Sequence, residues 1–156
     1  MSENGDLSFA QAARIVEEAL LAQFGLDPVQ NRLETHEPNM MAWGITKGSA
    51  SIFISLTWGP RLQTLQVFSP ILILTPQVDI NLYPTLLGLN ASSELLGLSF
   101  AIRDDKVILK MDRNARYLTV DSVSESIRRV GTLADRYDDL LAEQFGGQLY
   151  GAGNSP

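Results

Sequence analysis

The chain has 156 residues, 45% of them hydrophobic and 19% charged, the make-up of a globular protein rather than a disordered one. Eighteen Asp and Glu against twelve Lys and Arg leave a formal net charge of −6, which opposes nucleic-acid binding because phosphate recruits Lys and Arg. The absence of cysteine excludes disulfides, thiolate metal ligands and a cysteine nucleophile, and suits a reducing, cytoplasmic setting.

One domain is expected over residues 8–147, between a disordered N-terminus (1–7) and a flexible tail (148–156). Met1–Asp6 is acidic and polar, so no signal peptide is expected there. Ser8–Phe24 reads as an amphipathic helix: Phe9, Ala12, Ala13, Val16, Ala19, Leu20 and Phe24 recur at intervals of three and four. Ser8 and Gln11 form a capping-box pattern, and Gly25 sits where a left-handed cap closes a helix. Asp27–Asn39 is polar and carries a short strand near Leu33.

Three strand patterns follow. Met41, Trp43 and Ile45 alternate, and Gly48-Ser49 makes a turn. Ala50, Ile52, Ile54 and Leu56 then alternate with Ser51, Phe53, Ser55 and Thr57, the clearest period-two signal in the chain. After the turn Trp58–Arg61, Leu65, Val67, Ile71 and Ile73 carry the third strand. Pro70 belongs at an edge or bulge, because it cannot donate to a ladder. The run Ile71–Leu74 is far short of the ~20 apolar residues of a membrane span, so no membrane association is expected.

Leu82–Leu96 is predicted as a second helix, with leucines spread too widely for one stripe and therefore buried on more than one side. Two strands, Leu98–Arg103 and Lys106–Met111, flank the turn Asp104-Asp105. A long last helix covers Asp121–Phe145, with Asp121 as N-cap, and Gly146-Gly147 ends it. The expected class is α+β, an antiparallel sheet with helices in the order α-β-β-β-α-β-β-α.

That order resembles the YbjN family of bacterial proteins. The resemblance rests on Ala134-Asp135-Arg136-Tyr137-Asp138-Asp139-Leu140-Leu141 in the last helix. It rests equally on Leu89-Asn90 in the middle helix followed by Gly97-Leu98-Ser99-Phe100-Ala101, an asparagine-bearing helix before a strand that starts with an aromatic. It covers roughly Phe9–Gly147. The resemblance implies a fold like that of type III secretion chaperones, small acidic homodimers that hold a partly unfolded segment of a client. The family is also described as a sensory-transduction regulator. It implies no catalytic residue.

The residues themselves supply little chemistry. His36 is the only histidine and lies in a polar loop with Glu34 and Glu37. Asp104-Asp105 suits a tight turn better than a paired-carboxylate site. Asp135, Asp138 and Asp139 suit a solvated helix face better than a cation site. No phosphate-binding glycine loop and no nucleophile motif is present. No catalytic residue, no metal ligand and no cofactor is expected, and the protein is not read as an enzyme.

Two surfaces are candidates instead. Trp43, Phe53, Trp58 and Phe68 are the aromatics of the first sheet, and they form either an exposed partner-binding face or a face covered by a helix. In the middle helix Gly88, Ala91 and Ser92 are small and leucines flank them, so Leu86, Leu87, Gly88, Asn90, Ala91 and Leu95 are the expected two-fold interface, with burial against the chain's own sheet as the alternative. The functional expectation is a homodimeric, chaperone-like or regulatory module that holds a segment of a partner protein. The alternative is a small-ligand sensor with an apolar pocket.

Overall fold

The computed structural model describes residues 5–151; residues 1–4 and 152–156, the outer parts of the expected disordered ends, lie outside the described residues. The elements are α1 (Phe9–Phe24), β1 (Arg32–Leu33), β2 (Met40–Lys47), β3 (Ala50–Trp58), β4 (Gln63–Ile73), α2 (Leu82–Ala91), β5 (Ser99–Arg103), β6 (Lys106–Asn114), a 3-10 turn (Ala115–Tyr117), α3 (Val120–Phe145) and β7 (Gln148–Leu149). With the two-residue strands set aside, this is the order read from the sequence. The strands form one sheet in the order β1-β2-β3-β4-β6-β5, with β7 paired to β4. The pairs β1–β2, β4–β7 and β5–β6 run antiparallel.

The chain gathers into two compact units. The first comprises Met1–Ile45, Phe53–Val67 and Asp112–Arg128. Its helix α1 starts as the sequence indicates: Ser8 Oγ accepts from the Gln11 N–H at 3.2 Å, and Gln11 Oε1 accepts from the Ser8 N–H at 2.9 Å. Gly25, at φ +65°, closes it. Ala12, Val16, Ala19 and Leu20 bury their stripe, and Trp43, Ile54, Leu56, Leu65, Val67, Val123 and Ile127 complete this core. Asp6 and Leu7, expected in the disordered arm, are anchored. The Asp6 carboxylate pairs with Arg116, and the Leu7 N–H donates to the Arg116 carbonyl at 3.0 Å. Asp121 proves to lie in the first turn of α3 rather than to cap it. Thr119 and Ser122 make the reciprocal cap, each side-chain oxygen accepting from the other's N–H at 3.0 Å.

The second unit comprises Thr46–Ile52, Phe68–Met111 and Arg129–Pro156. Its core holds Ile52, Leu72, Leu82, Leu95, Leu98, Phe100, Val107, Ile108, Leu109, Val130, Ala134 and Leu141. Helix α2 is shorter than expected, ending at Ala91 rather than Leu96. Ser92 turns its hydroxyl back to the Leu89 carbonyl at 2.7 Å, and Leu96 and Gly97 both take positive φ, +53° and +88°, which no helix continues through. Pro70 is buried inside β4, a strand with neighbours on both sides, and not at an edge. β7, placed by the sequence in the tail, pairs with β4 at Leu72 and Ile73.

Candidate functional site

Apolar surface stays open on the face made by α2 and β5. Helix α2 packs on β5 within the second unit. Its register puts Leu82 and Leu86 inward, 0% and 5% exposed, while Leu87 on the opposite side is 69% exposed. Tyr83, Leu86, Leu87 and Asn90 from α2 meet Phe100, Ala101 and Ile102 from β5 around a groove of about 220 Å³. Ile102, at the outer end of its strand, is 51% exposed. Behind the groove the Phe100 ring meets Tyr137 of α3 edge-on, centroids 5.4 Å apart. Burial first, and then the charge of Glu94, push the Tyr137 phenol above its ordinary value, so it stays neutral and donates toward Glu94.

Of the residues expected at a two-fold interface, Leu86, Leu87 and Asn90 line this groove, and Gly88 and Ala91 are exposed on the same helix. A side chain added at Gly88 would meet nothing within 4 Å, so the helix backbone is approachable there. Leu95 is a correction: it lies beyond the end of α2 and is 1% exposed, a core residue of the second unit. Tyr83, Phe100 and Ile102 belong to the groove but were not picked out by sequence. Phe100 and Ile102 share one alternating pattern, and nothing in that pattern marks the point where the strand outruns its cover.

The four aromatics separate. Trp43 is a correction: it is fully buried in the first unit, its indole Nε1 without a hydrogen-bond partner among the described residues, and so is not a surface aromatic. Phe53 is half-buried on the side of β3 opposite Ile52 and Ile54, as the alternation requires. Trp58 is half-buried, stacks on Phe9 with centroids 5.8 Å apart, and lines a hollow of about 400 Å³ with Ser8, Phe9, Pro60 and Gln63. Beside it in the first unit Ser55, Thr57, Leu62, Thr64 and Gln66 border a larger hollow of about 660 Å³, at which Leu62 is 71% exposed. Phe68, in the second unit, lies under the Arg103 guanidinium, 4.6 Å from the ring centre.

Several ionisable residues fasten turns and helices. Asp104 takes φ +54° in the β5–β6 turn, a conformation Asp tolerates, and Asp105 pairs with Lys106 at 2.6 Å. That hydrogen bond holds the Asp105 carboxyl below the ordinary value and the Lys106 amine above it. Asp135 accepts from Ser49 Oγ at 2.9 Å, fastening α3 to the β2–β3 turn. His36 is exposed. Among the described residues no three His, Asp or Glu side chains converge as a metal ion would need, and no helix is long and apolar enough to cross a membrane.

Comparison with known proteins decides the lineage. The family model TY-Chap1, "T3SS (YopN, CesT) and YbjN peptide-binding chaperone 1", matches residues 10–152. The chain belongs to this family. The TY-Chap1 fold recurs in solved structures. A chain of the ExsC–ExsE complex superposes with a TM-score of 0.63 at 14% identity, over 85% of this chain and 95% of that one. A chain of the heterodimeric ExoU–SpcU complex from the type III secretion system of Pseudomonas aeruginosa gives 0.58 at 16% identity, over 81% and 98%. A chain of the Yersinia pestis type III secretion chaperone SycH in complex with a fragment of YscM2 gives 0.53 at 22% identity, over 80% and 98%. At these identities the likeness is one of fold. No curated protein matches the chain. The TY-Chap1 assignment agrees with the YbjN resemblance carried by Leu89-Asn90, Phe100 and the closing helix.

Proposed function

We propose that this TY-Chap1 chain is a non-catalytic, cytoplasmic peptide-binding chaperone that works as a homodimer and holds a segment of a partner protein. The observation that carries the reading is the open apolar groove of α2 and β5, with Leu87 and Ile102 presented to solvent. Burying the exposed parts of these two side chains against a second copy stabilises, each by a fraction of the roughly 1.5–3 kcal/mol of a fully buried side chain, and Gly88 leaves room for a second helix to approach. The solved relatives are complexes of two different proteins, which supports a protein as the cargo. Phe53, Trp58 and Phe68, each half-buried, are the proposed partner contacts; the net charge of −6 favours basic segments.

The groove, at about 220 Å³, falls below the roughly 300–1,000 Å³ of small-molecule sites, so a second chain fits it better than a metabolite. Light scattering tests the dimer. The wild type is expected at twice the chain mass and Leu87→Asp at the single-chain mass; a wild-type monomer at high concentration refutes the dimer. Hydrogen exchange on the chain with a client co-purified from its native cell tests the cargo site. Slowed amides over β3 and β4 are expected, and an unchanged pattern refutes that assignment.

A further inference from the structure

The asparagine of α2 makes an unusual pair of bonds. Asn90 Oδ1 accepts from the Phe100 N–H at 2.7 Å, and Asn90 Nδ2 donates to the Phe100 carbonyl at 3.0 Å. One side-chain amide therefore makes the two bonds that an adjacent strand would make. Phe100 stands opposite Leu109 of β6 in the ladder. Since both its backbone groups go to Asn90, this is the non-bonded pair of the alternation, and within β5 Phe100 and Ile102 turn their backbone groups away from the sheet. The Leu98 N–H is met by the Leu95 carbonyl at 2.9 Å. Of these two outward residues of β5, Phe100 is met by Asn90, and Ile102, near the strand's end, has no backbone partner outside the ladder among the described residues. β5 is an edge strand of the sheet, and edges are where other chains add strands.

We propose that Asn90 guards the β5 edge: its amide takes the place of a neighbouring strand, so the α2–β5 face accepts packed side chains and refuses an added strand. A run of one open residue cannot seat a strand; without the amide the run extends from Phe100 to Ile102. This goes beyond the dimer reading and assigns a specificity-determining residue to the face.

The test uses the full chain. In the wild type the Phe100 amide, though it faces away from the sheet, is expected to exchange about tenfold or more slowly than the Ile102 amide. Equal rates overturn the proposal without any variant. Asn90→Ala should speed exchange at Phe100 and drive concentration-dependent association above the wild-type mass, whatever that mass is. Asn90→Asp, which keeps the acceptor and adds a charge to the edge, should stay at the wild-type mass. A folded Asn90→Ala protein that never exceeds the wild-type mass overturns the guard. The dimer reading stands or falls separately, on Leu87→Asp.

Discussion

Asp138 shows what a half-buried carboxylate costs on α3. Burial is the largest influence on it and raises its pKa, the charges of Asp139 and Asp135 push the same way, and the Asp139 N–H, donating to Oδ1 at 2.7 Å, pulls back. A carboxyl with a folded pKa above its unfolded one binds its proton more tightly when folded. Its contribution to stability is therefore present at acid pH and lost as the pH rises through the folded value. Asp138→Asn, which keeps the acceptor for Asp139, should raise the melting temperature at neutral pH. The gain should fade on acidification below the ordinary carboxylate range, where both forms are neutral. Thermal unfolding across pH checks this; a gain independent of pH would contradict the sign. Trp43 and Phe53 show the limit of reading single residues. Alternation places each on a face correctly, but whether a face is covered depends on elements far away in sequence, so Trp43 reads as a binding aromatic and is core.

α1 is legible to its ends because every signal is local: a stripe at helical spacing, the Ser8–Gln11 box and Gly25. β3 is legible for the same reason, its burial alternating as its hydrophobicity does. α2 runs too long in the sequence reading because Leu95 and Leu96 continue its composition, and only the left-handed turn at Leu96-Gly97 reveals the break. β7 has no pattern of its own; it exists because β4 offers an edge at Leu72 and Ile73. Gly147 makes that approach possible. At φ +89° it is in a region costly to other residues, and a Cβ there would stand 3.0 Å from the Ile73 carbonyl. Gly147→Ala should cost at least about 1–2 kcal/mol, seen as a lower urea midpoint with faster exchange in β7. An unchanged midpoint would mean that β7 is not held against β4.

Two leucines of α2 separate folding from assembly. Leu82 is fully buried, and Leu82→Ala should cost about 2–5 kcal/mol of stability by leaving a cavity. Leu87 is 69% exposed, and Leu87→Ala should leave the stability of the separate chain within about 0.5 kcal/mol while weakening self-association. Denaturant melts at low and high protein concentration distinguish the two. A large loss from Leu87→Ala in dilute monomer would place that side chain in the core.

By itself the sequence determined the α+β class, the order of elements, the caps of α1 and the kinship carried by Leu89-Asn90 and Phe100, because these follow from periodicities and turn chemistry within a few residues. Only the tertiary structure decided that Trp43 and Leu95 go inside, that Leu87 and Ile102 stay out, and that Asn90 completes the edge of β5. Those outcomes depend on which elements meet, and neighbours along the chain do not specify what lies across a strand or over a helix face.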